Sequence, residues 1–265
     1  MNLKSCISAA IHILIGFILT FLPHYVTVLF SLIVGSNNSI LLTMITNVVL
    51  IGVFTTLYCI FRFKRREEAF QIHSKFSVKV LLLFMVLIVV LSFAMNTIFY
   101  WFSVHISSAG MDTRADNYRS VTVFTLILFS VILAPICEEI MYRWFMYNFF
   151  KRRLHWLAAM IISSLFFGMV HMTGPHLVIG TVFGMFMCLC YELSGSCFVS
   201  ILLHITYNFL SLFVPSAKLG SSTAFAIFCM IMVLGIFSIQ MFAADGYIQK
   251  NKKVLAKVEK VKTKS

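Results

Sequence analysis

The sequence predicts an all-α protein, a polytopic membrane helical bundle of about eight transmembrane helices. Hydrophobic residues make up 60% of the 265 residues, and charged residues only 11%. Soluble domains carry roughly 25% charged residues because they need a polar surface, so this surface faces lipid rather than water. The chain also holds 28 Phe and 15 Met against 4 Pro. This composition favours long apolar helices over a β-barrel, whose strands alternate polar and apolar residues.

Apolar stretches long enough to cross a bilayer recur along the whole chain. The predicted spans are Ser8–Val34, Ile40–Phe61, Val80–Phe102, Val121–Phe150, Leu154–Met172, Leu177–Leu193, Cys197–Val214 and Thr223–Ala244. The first is too long for a signal peptide and lacks a small-residue cleavage site, so we expect it to remain as an anchor. No linker interrupts the series. We therefore predict a single transmembrane domain over residues 1–249 and a basic cytoplasmic tail over 250–265.

The net charge of +12 is concentrated in a few places. Basic residues cluster in the 62–79 loop, at Lys151-Arg152-Arg153 and in the tail. Cytoplasmic loops of membrane proteins carry an excess of Lys and Arg, so we predict a multi-pass protein of the plasma membrane with both termini in the cytoplasm. Anionic lipid headgroups are the expected partners of these clusters. No basic stretch is interleaved with base-stacking aromatics, so no nucleic-acid partner is predicted.

Two adjacent glutamates, Glu138 and Glu139, lie inside the fourth predicted span. A charged carboxylate there costs several kcal/mol unless it is paired or hydrated. Glu139 and Arg143 are four residues apart and can pair on one helical face, whereas Glu138 is rotated by about 100° and can point elsewhere. The pattern predicts one structural and one chemical carboxylate. Pro135 just upstream is expected to loosen the helix and free backbone carbonyls near the site.

Two further polar pairs occur in later predicted spans, and both have the spacing of one helical turn. Phe167 and His171 lie in the fifth span, and His204 and Asn208 lie in the seventh. This spacing puts His204 and Asn208 on one face and makes Phe167 a neighbour that can fix the ring of His171. We expect Glu138 and the two histidines to meet in the cytoplasmic half or the centre of the membrane.

The complete set of motifs, Glu138-Glu139-x-x-x-Arg143, Phe167-x-x-x-His171 and His204-x-x-x-Asn208, resembles the CAAX-processing and bacteriocin-processing (CPBP, or Abi-type) family of intramembrane proteases. The resemblance covers about residues 121–214, which would form the catalytic core. It implies an intramembrane endopeptidase that hydrolyses a peptide bond of a membrane-associated peptide or protein. CAAX-type processing, bacteriocin or peptide maturation, and immunity all fall within what it implies.

Carried over by position, the resemblance implies that Glu138 and His171 activate a water molecule. His204 and Asn208 would stabilise the oxyanion that forms when the peptide carbonyl is attacked. Donors held at a developing negative charge make the largest electrostatic contribution to such reactions. The other motif residues are assigned supporting roles: Glu139, Arg143 and Phe167.

A metal ion is an open question from the sequence alone. Glu138, His171 and His204 have the ligand types of a His2Glu zinc site, and a bound zinc ion would activate its water molecule. The chain has no H-E-x-x-H motif, which is the usual helical zinc signature. The resemblance also permits metal-free glutamate catalysis, which we slightly favour.

Two other functions are compatible with polar residues inside a membrane. A proton-coupled transporter also uses intramembrane Glu and His, and it would show uptake or efflux that depends on a gradient. A catalytically inactive scaffold or immunity protein would keep working with Glu138 replaced.

Overall fold

The computed structural model describes residues 78–105, 122–171, 174–212, 222–240 and 243, together with scattered positions between 7 and 52. Within these ranges the regular structure is entirely helical. The helices are α1 (Val78–His105), α2 (Val123–Lys151), α3 (Trp156–Met169), α4 (Gly174–Ser194), α5 (Cys197–Ser211) and α6 (Thr223–Gln240). The protein is thus an all-α membrane helical bundle, as predicted.

The helices correspond to the last six predicted spans. By length and composition, α1, α2, α4 and α6 can cross a membrane, while α3 and α5 are shorter apolar helices. The fifth span was predicted to run to Met172, but α3 ends at Met169, and the sixth was predicted from Leu177, but α4 begins at Gly174. The first two spans and the basic tail lie largely or wholly outside the described residues. The total of eight therefore stays a prediction.

The described part of the first predicted span is helical and packs on the bundle. The Thr20 hydroxyl lies 3.9 Å from the sulfur of Met146 in α2. The ring centroids of Phe17 and Phe166, the latter in α3, are 6.3 Å apart. These contacts place the N-terminal stretch against the same helices that carry the polar motifs.

Helix α2 alternates between α-helical and π-helical hydrogen bonding and changes register four times. Two π-helical stretches, Ile127–Leu133 and Ile140–Tyr147, flank an α-helical segment, Ala134–Glu139. Pro135 lies in the first turn of that segment and has no N–H to donate. The irregularity that Pro135 predicted is confirmed. Short π-helical stretches occur frequently at functional sites, because they turn side chains away from their ordinary helical positions.

Helices α3 and α4 approach each other closely through glycine. A Cβ atom on Gly168 would lie 2.3 Å from Thr181 Oγ1 and 2.6 Å from the carbonyl oxygen of Leu177. A Cβ atom on Gly184 would lie 3.0 Å from that of Ser164. Small residues at such contacts let helix backbones pack tightly, which is the main source of association between helices in lipid.

The turn between α2 and α3 lies at the same end of the bundle as the turn between α4 and α5. The Lys151 ammonium pairs with the Glu192 carboxylate across these two turns. One turn earlier in α2, Asn148 Nδ2 donates to the Tyr191 hydroxyl at 2.8 Å. The two turns therefore lie on one side of the bundle. That this side is the cytoplasmic one stays a prediction.

Candidate active site

Glu139 is the buried centre of a polar cluster between α2 and α5. Its Oε1 atom lies 3.0 Å from Arg143 Nη1 and 2.7 Å from His204 Nδ1. Arg143 is also buried, donates from Nη2 to the Gly184 carbonyl at 3.5 Å, and stacks 4.5 Å above the centroid of the Phe167 ring. The predicted pairing of Glu139 with Arg143 is confirmed. Such a carboxylate is tolerated away from water only because cationic and N–H groups surround it.

Glu138 points in a different direction and is the more accessible of the two carboxylates. Its side chain is 17% exposed, against 0% for Glu139. Its Oε2 atom lies 3.6 Å from His204 Nε2, so the two neighbouring glutamates face opposite nitrogens of one imidazole ring. Because Glu139 accepts a hydrogen bond from Nδ1, the ring presents Nε2 towards Glu138. The predicted division into a paired and a reachable carboxylate is therefore visible in the geometry.

Aromatic rings enclose the side chain of His204. The centroid of Phe183 in α4 lies 4.8 Å from that of His204, and the centroid of Phe167 in α3 lies 5.9 Å from it. Tyr142 in turn packs edge-on against Phe167, with the centroids 5.2 Å apart. These rings hold the imidazole in place and keep water away from the Glu139 side of the cluster.

His171 lies in the turn after α3. Its backbone N–H donates to the Gly168 carbonyl at 3.2 Å, and its Nδ1 donates to the Phe167 carbonyl at 2.9 Å. The Phe167 and His171 rings also contact, with centroids 5.0 Å apart. The fifth span was predicted to extend beyond His171, whereas α3 ends at Met169, and the depth of His171 in the membrane stays a prediction. The expected fixing of His171 by Phe167 is confirmed.

His176 is a neighbour of the site for which the sequence carries only a weak signal. Its ring is nearly parallel to that of His171, with centroids 6.2 Å apart and an interplanar angle of 7°. It also packs on Phe99 of α1 at a centroid distance of 4.4 Å. The available sequence signal was its closeness to His171 across the turn at Gly174 and Pro175.

Asn208 lies one helical turn after His204 and also faces α2. Its Nδ2 atom donates to the backbone carbonyl of Ser130 at 2.8 Å. The predicted common face of His204 and Asn208 is therefore the face of α5 that contacts the glutamate-bearing helix. The contact with Ser130 was not foreseen from the sequence, because it joins positions far apart in the chain.

The described residues do not assemble a metal centre. In the ranges that the structure describes, no group of three His, Cys, Asp or Glu side chains is arranged so that it could hold a metal ion. The candidate ligand set of Glu138, His171 and His204 does not form such a group. Metal-free catalysis, which the sequence slightly favours, stays a prediction.

Comparison with known proteins finds similarity over the segment that carries this cluster. A family model described as type II CAAX prenyl endopeptidase Rce1-like matches residues 120–210. The protein named "Putative membrane peptidase YdiL" from Bacillus subtilis (strain 168) is 28% identical over 110 residues, which are 42% of this chain and 44% of that protein. The match thus spans less than half of that curated relative. No solved structure matches the chain.

The matched segment contains α2 to α5 almost entirely and includes all three motifs. Over this segment the chain is similar to type II CAAX prenyl endopeptidases and to a protein named as a membrane peptidase, which agrees with the predicted resemblance to the CPBP family.

Proposed function

We propose that the protein is an intramembrane endopeptidase that hydrolyses a peptide bond of a membrane-associated peptide or protein. The observation that carries this proposal is the arrangement of Glu138, a reachable carboxylate 3.6 Å from His204 Nε2, beside the buried pair of Glu139 and Arg143. A positioned carboxylate next to a histidine whose other nitrogen is held in place is a common layout for acid–base catalysis.

In the proposed reaction, Glu138 acts as the general base with the help of His171. Glu138 takes a proton from a water molecule as the water oxygen attacks the peptide carbonyl. The proton then passes to the leaving amine as the carbon–nitrogen bond breaks. Glu139 is unsuited to this role, because its Oε1 atom contacts both Arg143 and His204 and no part of the side chain is exposed.

His204 and Asn208 are proposed to stabilise the oxyanion of the tetrahedral intermediate. Donation from His204 Nε2 requires hydrogens on both ring nitrogens, since Nδ1 already donates to Glu139. The ring would then be a cation. Together with Arg143 it would balance the charges of Glu138 and Glu139, so the cluster as a whole would be neutral, which suits a membrane interior.

We propose that this chemistry needs no metal ion, and that the substrate enters between helices as an extended segment. A peptide bond already hydrogen-bonded within a helix is not available for attack. CAAX-type processing, maturation of a bacteriocin or another peptide, and immunity are the candidate settings. The proposed location is the plasma membrane, with both termini in the cytoplasm and the basic clusters on anionic headgroups.

The first experiment is a survey of membrane and secreted peptide termini that assumes no substrate. Cells expressing wild-type protein are compared with cells expressing Glu138→Gln at matched levels. The substitution keeps the shape of the side chain but removes the base. We expect termini that appear with the wild type and fall by about 100-fold or more with the variant, since acid–base groups contribute on that order or above.

Glu192→Gln is the matched control, because Glu192 is a buried glutamate at a turn, outside the cluster. It should give the wild-type pattern of termini. Identical termini from Glu138→Gln would remove Glu138 as the base. No difference between wild type and empty cells, with the protein inserted, would favour the transporter or scaffold.

A further inference from the structure

The carbonyl oxygen of Ser130 cannot make the next hydrogen bond of the π-helical register. The π-helical register, which the stretch Ile127–Leu133 follows, pairs a carbonyl with the N–H group five residues later. For Ser130 that residue is Pro135, which has no N–H. In a membrane, a backbone carbonyl without a partner is costly, because no bulk water replaces the missing donor.

The side chain of Asn208 supplies a donor at this position. Its Nδ2 atom lies 2.8 Å from the Ser130 oxygen, which is a normal distance for a strong N–H···O bond. The bond therefore takes the place of the amide that proline removes. The same nitrogen carries a second hydrogen, so this bond is compatible with donation to an oxyanion.

This contact gives α5 two separate attachments to the helix that carries Glu138. His204 engages Glu139, and one turn later Asn208 engages Ser130. The two contact points on α2 are nine residues apart, or about 14 Å along a helix axis at 1.5 Å per residue. Two attachments that far apart fix both the height and the rotation of α2 relative to α5.

We infer that Asn208 is a positioning residue that replaces the missing amide of Pro135 and so holds Glu138 in register with His204 Nε2. The catalytic meaning of this register rests on the proposed function. The structural part of the inference is that a side-chain amide replaces a backbone amide. This part is independent of the proposed function.

The test is a double-mutant cycle between Asn208→Ala and Pro135→Ala, read out as the thermal melting temperature in detergent. Pro135→Ala restores an N–H group to residue 135. With Pro135 in place, Asn208→Ala should lower the melting temperature by about 5 °C, as expected for one buried acceptor left unsatisfied. In the Pro135→Ala background, Asn208→Ala should lower the melting temperature by less than half as much. An equal loss in both backgrounds would overturn the inference.

Asn96→Ala is the matched control for this cycle. Asn96 also joins two helices through its amide, donating to the Ser211 hydroxyl at 3.2 Å, but it contacts no carbonyl near Pro135. Its effect should be the same in both backgrounds. If the Asn208→Ala protein is not found in the membrane, the amount of protein in the membrane replaces the melting temperature as the readout. Recovery is then expected on adding Pro135→Ala, and its absence would overturn the inference.

A measurement of turnover distinguishes a positioning role of Asn208 from a role in stability alone. With product termini identified, the fold loss caused by Asn208→Ala, normalised to folded protein, should be smaller in the Pro135→Ala background than with Pro135 in place. The same loss in both would overturn the positioning role. If no product termini exist, the proposed function fails, while the melting cycle still decides whether Asn208 replaces the amide that Pro135 lacks.

Discussion

Two helix interfaces of this bundle are built in opposite ways. The α3–α4 interface relies on missing side chains, since Gly168 and Gly184 let the backbones approach within a distance that a Cβ atom would obstruct. The α2–α5 interface relies on buried polar groups, with Glu139 bonded to His204 and Asn208 bonded to the helix backbone. The first depends on shape alone, and the second depends on charge and hydrogen bonding.

The difference indicates which interface is organised around chemistry. Close packing of small residues stabilises helices in lipid without burying any charge. Burying carboxylates and an arginine carries a desolvation cost that apolar residues would avoid. A bundle that needed only to fold could have packed both interfaces through small residues. The retained polar interface is therefore where a function that requires these groups is to be expected.

The two interfaces meet at Gly184. The Arg143 guanidinium reaches across from α2 and donates to the Gly184 carbonyl at 3.5 Å. Gly184 also lies against Ser164, where an added Cβ would be 3.1 Å from the Ser164 Cα. The absence of a side chain at this position thus serves both the close packing of α4 on α3 and the support of the charged cluster.

The largest stability effect is expected at the polar interface. Arg143→Ala removes the arginine that pairs with Glu139 and leaves this carboxylate buried. The change should destabilise the protein by about 3–5 kcal/mol. Thermal melting in detergent measures this, with Arg153→Ala, an exposed arginine of the next turn, as the control. Equal melting temperatures for the two variants would show that the ion pair does not hold the interface.

An intermediate effect is expected at the small-residue interface. Gly168→Ala places a methyl group 2.6 Å from a backbone oxygen that cannot rotate away, so α3 and α4 must separate. Overpacking of this kind costs about 1–3 kcal/mol. Gly235→Ala in α6 is the control, because its added Cβ meets nothing within 4 Å. A melting temperature unchanged by Gly168→Ala would contradict the close approach.

The smallest effect is expected at the end of the bundle, where Lys151 pairs with Glu192. Lys151→Met keeps most of the aliphatic stem and removes the charge. Since the lysine is 33% exposed, the loss should be about 1 kcal/mol or less, and high salt should reduce the difference from wild type. A loss as large as that of Arg143→Ala would mean that this pair, rather than the central cluster, secures α2 to α4.

Local spacing in the sequence was enough to predict contacts within one helix or turn. The pairing of Glu139 with Arg143 and the fixing of His171 by Phe167 both follow from a separation of four residues. The end of α3 could not be placed, because Val170 and Met172 are as apolar as the helix itself and hydropathy does not register the turn. The presence of apolar helices was predictable, but their exact ends were not.

The contacts between helices were beyond local reasoning. The bonds from His204 to Glu139 and from Asn208 to Ser130 join residues 65 and 78 positions apart. The sequence could say that Pro135 would free a carbonyl, but not which side chain would reach it. That choice depends on the height at which α5 packs against α2, which only the assembled bundle defines.

The lengths of α3 and α5 bear on how water reaches the site. They have 14 and 15 residues, with a capping residue described at each end. At 1.5 Å per residue they rise about 21 and 22 Å, well short of a hydrocarbon core of about 30 Å. A helix shorter than the bilayer is accommodated by local thinning of the lipid or by polar groups drawn inward. The proposed hydrolysis consumes water, and a thinner membrane beside these two helices would shorten the distance that water must travel to Glu138.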